Sequence, residues 1–362
     1  RLAVRVDLVT VVAGLLRVEL DSRVTRGDFS GVALVWVAGA PAFEYAGGLA
    51  HRGFAIPNTI ETRFAVASIT KLPTAIACLR LVERGRLRLD QPLTALLPRE
   101  QQPAALTPEI TLHHVLSHTS GLANYHDDTD PTWASFTATW DRIPSYHVRR
   151  PADMLPAFAD LPARFRPGER YEYNDAGFIL AGLVLEAVTG RPYPEIVTEE
   201  VFTPAGMADT SFEALDHEPA RLATGYVTDA TAPRGWKTNI FSVTAMGMPD
   251  GGMITTAHDL ARLVDALLGG RLLSPALVAA MTAPQGPPDA EDAYGYGCLL
   301  TVEDGRVTTI GHGGSDPGVA ALLVHHLEAG TTIVTICNQD RGAWATAEAL
   351  ATALGLGRAP DA

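Results

Sequence analysis

Cysteine is scarce in this chain of 362 residues, which contains only three. Cys78, Cys298 and Cys337 each lie within an apolar segment, and an odd number at core-like positions argues against a disulfide framework. We therefore expect a cytoplasmic location. Since the chain begins at Arg1 and not at Met, the sequence leaves a removed leader open.

Long apolar runs are missing as well. No stretch reaches the roughly 20 residues that a helix needs to span a bilayer, so we expect no integral membrane segment. The best candidate, residues 9–16, follows Asp7, precedes Arg17 and has apolar residues at helical spacing. This pattern predicts an ordinary packing helix and not a signal peptide, which needs a longer apolar run and a small-residue cleavage site.

Positive charge is also in short supply, with 28 Lys and Arg against 41 Asp and Glu and a formal net charge of -13. Such a chain repels a phosphate backbone, so nucleic-acid binding is disfavoured. No glycine-rich phosphate loop is present, and the adjacent histidines at 113–114 and 325–326 diverge on a helix or strand. We therefore expect no cofactor and no metal.

Hydrophobic residues make up 47% of the chain, enough for a sizeable core, and no linker rich in Pro, Gly or Ser divides it. The sequence predicts one domain over residues 1–362. Its pattern indicates an α/β (α+β) fold in which an antiparallel β-sheet is flanked by N- and C-terminal helices and an all-helical lobe is inserted. We place the α/β lobe at about 1–66 and 270–362, the helical lobe at about 67–269, and the site where the lobes meet.

The predicted elements are read from periodicity and from turn residues. A helix is expected from Ser68 to Arg84, with Ser68 at its N-terminal end, and helical segments dominate up to about residue 270. The remaining expected elements are a hairpin of strands 31–37 and 42–48, strands 296–302, 307–311, 319–325 and 331–337, and a final helix over 344–354.

A serine and a lysine stand three residues apart at the start of that helix. This offset brings the amine of Lys71 to the same face as the Ser68 hydroxyl, one turn away. A serine hydroxyl is a poor nucleophile until a base takes its proton, and a lysine in a suitable environment can be that base. The motif alone fits an N-cap serine and a solvated lysine better than a catalytic pair, so its weight depends on the rest of the chain.

Further blocks follow in a fixed order. After S-x-x-K at 68–71 come Tyr-Glu-Tyr-Asn-Asp-Ala-Gly-Phe at 171–178 and Ile-Gly-His-Gly-Gly-Ser-Asp-Pro-Gly at 310–318. With these blocks the chain resembles the serine β-lactamase and penicillin-binding-protein superfamily, in particular its class C-like, DD-peptidase, D-aminopeptidase and family VIII esterase branch. The segments 110–122 and 251–261 also resemble that family, and the likeness implies its β-lactamase/transpeptidase-like fold.

The resemblance implies roles for three residues. Ser68 would attack a carbonyl to form an acyl-enzyme, and Lys71 and Tyr173 would share the proton transfers. We match Tyr173 and not Tyr171 because the Tyr-Asn-Asp run keeps the family's distance to the Gly-Phe pair at 177–178.

One position departs from the family pattern, which more often has Asn where this chain has Asp175. A carboxylate there favours the ammonium form of Lys71 and weakens it as a free base, which moves part of the work to Tyr173. A phenol has an unperturbed pKa near 10. We expect this pKa to fall if the phenol lies between Lys71 and a charged His312.

The block at 312–315 replaces the lysine-containing motif of β-lactamases with the H-x-G form of DD-peptidases and D-aminopeptidases. A histidine is charged only below roughly pH 6.5, so His312 argues against strong β-lactamase activity. Gly313 and Gly314 are expected to let substrate approach the strand closely. The resemblance implies that the backbone N–H groups of Ser68 and Ser315 form the oxyanion hole.

The leading hypothesis is a serine hydrolase that cleaves an ester or amide of a small molecule or peptide. Acyl transfer, as in transpeptidation or peptide cyclisation, is an alternative with the same acyl-enzyme, and a non-catalytic binding protein is a third. The sequence determines neither the substrate nor the oligomeric state. We expect His118 to support a turn, and the polar and aromatic segment 124–150 fits a lid over the acyl pocket as well as a surface loop.

Overall fold

The computed structural model describes residues 2–127, 129–130, 132–287 and 293–357. Its helices are α1 (Leu2–Arg26), α2 (Lys71–Glu83), α3 (Leu112–Leu116), α4 (Ala134–Arg142), α5 (Leu155–Phe158), α6 (Asp175–Thr189), α7 (Tyr193–Val197), α8 (Thr203–Ala205), α9 (Ala257–Leu268), α10 (Pro275–Met281) and α11 (Ala343–Ala353). Its strands are β1 (Gly31–Val37), β2 (Ala40–Gly47), β3 (Leu49–His51), β4 (Ile56–Pro57), β5 (Phe64–Ala65), β6 (Tyr226–Thr228), β7 (Trp236–Thr238), β8 (Ile254–Thr255), β9 (Ala293–Tyr294), β10 (Leu299–Glu303), β11 (Arg306–Asp316), β12 (Val319–His326) and β13 (Thr331–Cys337).

Seven strands form one sheet in the order β2-β1-β13-β12-β11-β10-β9, and every neighbouring pair is antiparallel. The terminal helices α1 and α11 pack on one face of this sheet, and α9 packs on the other. Most helices of the chain lie between β2 and β9 in sequence. The predicted fold class is confirmed, whereas the predicted division into lobes stays a prediction.

The two faces of the sheet are both buried because apolar side chains point alternately to either side of each strand. In β1, Val32 and Leu34 join the cluster formed with α2, α6 and α9, and Ala33 and Val35 join the cluster formed with α1 and α11. Strands covered on both faces read as continuous apolar runs, which is why the sequence pattern of β1, β12 and β13 predicts them well.

Two expected features differ in the structure. The strand predicted to end at Gly311 continues as β11 to Asp316, since its glycine-containing end stays paired with β12, with Gly314 opposite Ala321. The middle of the chain also contains a short hairpin, β6 and β7, among its helices. In the part of the chain that the structure describes, no helix has the length and apolar character to cross a membrane.

Candidate active site

The candidate nucleophile lies on a tight turn that leads into α2. Residues Ala67–Thr70 form a 3₁₀ turn, and Ala67 has a φ of 43°, a left-handed conformation that is strained for a residue with a Cβ. The hydroxyl of Thr70 donates to the Ala67 carbonyl at 2.6 Å, which helps to hold this turn. Ser68 stays partly exposed on it, whereas Lys71 is fully buried.

Lys71 uses all three of its N–H donors. Its Nζ donates to Ser68 Oγ at 2.9 Å, to Asp175 Oδ1 at 2.5 Å and to the backbone oxygen of Asp250 at 2.7 Å. Three acceptors match the three hydrogens of an ammonium group, and one acceptor is a carboxylate. The geometry therefore favours a charged Lys71 next to the candidate nucleophile.

Asp175 occupies the first turn of α6, where the side chain of Asn174 caps the helix by accepting from the Gly177 N–H at 2.7 Å. Burial alone would raise the pKa of Asp175, but the charge of Lys71 and contact with His126 hold that pKa well below its usual range. The structure thus supports the expected pairing of this carboxylate with Lys71.

The segment 124–150 supplies contacts that the sequence did not reveal. His126 Nε2 lies 2.9 Å from Asp175 Oδ2, and Asn124 Oδ1 accepts from the backbone N–H of Asp175 at 3.2 Å. Tyr125 donates its hydroxyl hydrogen to Asp250 Oδ2 at 2.6 Å. The start of this segment is therefore part of the site wall, and its polar and aromatic composition was the only signal of this in the sequence.

Tyr173 lies beside the lysine, as expected. Lys71 Nζ is 4.9 Å from the centroid of the Tyr173 ring, and that ring packs at 4.4 Å from the ring of His118. The predicted turn role of His118 fits its geometry, since its φ is 56° and its Nδ1 accepts from the backbone N–H of Asn174 at 3.0 Å. The structure brings Ser68, Lys71 and Tyr173 into one cluster.

His312 is buried, with its ring centroid 6.3 Å from that of Tyr173. Its Nδ1 contacts the Gly313 carbonyl oxygen at 2.5 Å and its Nε2 contacts the Tyr294 hydroxyl at 2.9 Å. Because a carbonyl only accepts, Nδ1–H donates, and the Nε2 of the neutral ring accepts from Tyr294. Burial first, and then the Lys71 charge, lower the pKa of His312 to about 3. A charged His312, the condition under which we expected the pKa of Tyr173 to fall, is therefore disfavoured near neutral pH. The cause is burial of the ring, which the sequence could not show.

A side chain added at Gly313 or Gly314 of the H-x-G block would meet protein and not open space. A Cβ on Gly314 would lie 2.2 Å from the carbonyl oxygen of Val66 and 3.3 Å from the backbone nitrogen of Ser68. A Cβ on Gly313 would lie 2.9 Å from the Trp344 ring. Gly314 thus allows β11 to approach the Ser68 turn, and the expected role of both glycines in admitting substrate stays a prediction.

A cavity of about 60 Å³ lies next to this cluster, separated from Lys71 by Asp250. Its walls include two aspartates, Asp250 and Asp316, which the sequence analysis did not single out. Burial, followed by repulsion from Asp175, raises the pKa of Asp250 to about 6. Desolvation by the surrounding protein, followed by repulsion from Asp175 and Asp250, raises the pKa of Asp316 to about 7.

The site contains no obvious metal-binding group. Among the residues that the structure describes, no group of three or more His, Cys, Asp or Glu side chains is placed to hold a metal ion. The arrangement instead combines a candidate nucleophile, a buried cation and a phenol, groups that are able to carry out acyl transfer to a serine.

Known proteins are similar to this chain in fold and in sequence. The sequence profile of the family described as Beta-lactamase matches residues 17–356. The crystal structure of a penicillin-binding protein from Bacillus halodurans has a TM-score of 0.84 and 37% identity, covering 92% of this chain and 99% of that one. Esterase EstB of Burkholderia gladioli is 31% identical over 75% of each chain. A D-amino acid amidase from Ochrobactrum anthropi SV3, solved with L-phenylalanine amide, has a TM-score of 0.72 and 25% identity over 92% of this chain and 91% of its own.

Proposed function

Because this chain belongs to the Beta-lactamase family, whose relatives here include esterases and amidases, we propose that it cleaves an ester or amide through an acyl-enzyme on Ser68. The observation that carries this proposal is the 2.9 Å hydrogen bond from the buried Lys71 ammonium to the hydroxyl oxygen of the partly exposed Ser68. A cation at this distance stabilises the negative charge that Ser68 Oγ develops as it loses its proton.

In the first step, Ser68 Oγ forms a bond to the substrate carbonyl carbon, and the hydroxyl proton passes to Tyr173, which acts as a phenolate beside the positive charge of Lys71. The carbonyl oxygen becomes an oxyanion, for which the backbone N–H groups of Ser68 and Ser315 are the proposed donors. The close approach of Gly314 to the Ser68 nitrogen supports this placement. The bond from the carbonyl carbon to the leaving oxygen or nitrogen then breaks, and the leaving group takes the proton from Tyr173.

In the second step, a water oxygen forms a bond to the acyl carbon while Tyr173 takes one of the water protons. The bond from Ser68 Oγ to the acyl carbon then breaks, Tyr173 passes the proton to Oγ, and the acid is released. We assign the proton transfers to Tyr173 because Lys71, with three acceptors, has no lone pair available in the resting site. Lys71 acts as a fixed charge beside both groups, 4.9 Å from the Tyr173 ring centroid.

A fluorophosphonate probe tests the acyl-enzyme. Intact-mass spectrometry of the labelled protein should show one adduct, and peptide mapping should locate it on Ser68. The Ser68→Ala variant should lose both the adduct and the cleavage of p-nitrophenyl esters. A label that survives in this variant would refute the assignment of the nucleophile, and cleavage run with an added amine or alcohol shows whether the acyl group passes to water or to another acceptor.

A further inference from the structure

The cavity that meets the nucleophile turn through Gly251 and Gly252 combines carboxylates with aromatic rings. Its lining includes Asp250, Asp316, Tyr125, Phe136 and Trp140. We propose that the acyl part of the substrate carries a protonated amine, which Asp316 and Asp250 bind in this cavity. The inference names the substrate class of the site and rests on the proposed function.

Position along β11 places Asp316 within reach of a substrate attached to Ser68. In a strand, residues two apart point to the same side, so the Asp316 side chain shares the side on which Gly314 meets the Ser68 turn. Two strand residues span roughly 7 Å. An amine a few bonds from the reacting carbonyl can therefore extend along β11 towards the Asp316 carboxylate.

The cavity has an excess of negative charge. Another acidic residue in its lining, Glu213, already pairs with Arg63 at 2.7 Å, and Lys71 pairs with Asp175. Among the described residues, the Asp316 carboxylate has neither an ion pair nor a hydrogen bond. Its burial and the charges of Asp175 and Asp250 outweigh the opposing charges of Lys71 and His126, so its pKa is raised. A bound ammonium would supply the missing cation.

Asp250 adds a second acceptor to the same wall. The hydroxyl of Tyr125 donates to its Oδ2, so this carboxylate has a hydrogen-bond partner. Its side chain forms no ion pair with the residues that the structure describes. The pKa values of Asp250, about 6, and Asp316, about 7, are raised by burial and by the neighbouring carboxylates, which agrees with an excess of negative charge in the cavity. A bound cation favours the ionised form of both groups and reverses part of this shift.

The aromatic walls suit the same ligand. Phe136 and Trp140 pack edge to face with centroids 5.4 Å apart, and Tyr125 and Phe136 are buried. Ring faces attract ammonium groups. The edge of Trp140 also carries a buried Nε1–H that has no hydrogen-bond partner among the described residues, but this neutral donor does not offset the charge of the two carboxylates. A carboxylate-bearing substrate would meet repulsion here and would find no compensating charge on the neutral His312.

Pairs of esters that differ only in charge provide the test. Methyl esters of D- and L-alanine, β-alanine and 4-aminobutyrate are compared with the isosteres in which a methyl group replaces the ammonium. The readout is the ratio of kcat/KM between the two members of a pair. In at least one pair the ammonium ester should be preferred by roughly 10- to 100-fold, the range expected for a hydrogen bond to a charged group.

The Asp316→Asn variant should lower that ratio towards one. Asp316→Lys should reverse the charge preference, so that monomethyl succinate, which bears a carboxylate, becomes a better substrate than the β-alanine ester. As a matched control, Asp304→Asn changes an exposed aspartate in the turn between β10 and β11 and should leave the ratio as in wild type. For the β-alanine ester, whose amine stays protonated, the ratio should rise with pH through about 7 in wild type as Asp316 ionises, and stay flat in Asp316→Asn.

The outcomes separate this inference from the proposed function. If no ammonium ester is preferred, if Asp316→Asn keeps the wild-type ratio, or if none of these esters is cleaved while the fluorophosphonate still labels Ser68, the inference alone is overturned. If Ser68 is neither labelled nor needed for any cleavage, the proposed function falls and the inference falls with it.

Discussion

The close contact between β11 and the nucleophile turn makes a specific prediction for Gly314→Ala. The new Cβ would lie 2.2 Å from the carbonyl oxygen of Val66, where carbon and oxygen without a bond stay at least about 3.3 Å apart. The strand and the turn must therefore separate by about 1 Å. That movement displaces Ser68 from Ser315, and a misplacement of about 1 Å costs roughly 100-fold in rate.

The stability cost of the same change should be modest. Overpacking costs about 1–3 kcal/mol, which for a chain of this length lowers Tm by roughly 1–4 °C. The assay is kcat/KM for a p-nitrophenyl ester together with a thermal melt. Gly14→Ala, at a helix position with nothing within 4 Å of the new Cβ, is the matched control and should keep wild-type activity. A Gly314→Ala enzyme with wild-type kcat/KM would refute the idea that this contact positions the site.

Four further variants, with Tyr171→Phe as a comparison, probe the charges, the phenol and the histidine of the site. Lys71→Ala and Tyr173→Phe should each lower kcat/KM by roughly 10² to 10⁴ in ester assays. Tyr171→Phe should keep most of the activity. Full activity in Tyr173→Phe would contradict the proposed proton transfer. Asp175→Asn leaves the buried Lys71 ammonium without its carboxylate and should cost about 3–5 kcal/mol in denaturant unfolding at pH 7.5. Since the folded-state pKa of Asp175 is lowered, its stabilisation is fully present above its unfolded pKa. The difference in free energy of unfolding between this variant and wild type should therefore narrow as the pH falls below about 4. A difference that stays constant with pH would argue against the ion pair. His312→Gln should lower kcat/KM without removing an ionisation between pH 5 and 8, because the wild-type histidine is already neutral there; loss of such an ionisation in the pH profile would show that His312 is charged.

Much of the fold was predictable because strands buried on both faces and helices with apolar periodicity leave a local pattern. The strands predicted at 319–325 and 331–337 match β12 and β13 to within a residue. The end of β11 was missed because glycines weaken a strand locally and are read as its end. Pairing with β12, and the space that Gly314 leaves for the Ser68 turn, hold that segment extended.

The candidate site was also predictable from the sequence only in part. The S-x-x-K spacing determined by itself that Lys71 would meet Ser68, since three residues at the start of a helix fix that geometry locally. Asp250 is 179 residues from Lys71 in sequence, and His126 is 49 residues from Asp175, so only the tertiary structure decided that these groups surround the lysine. The neutral state of His312 and the excess negative charge around Asp316 were likewise decided by folding, because both depend on the loss of water around a group and on charges brought close from distant parts of the chain.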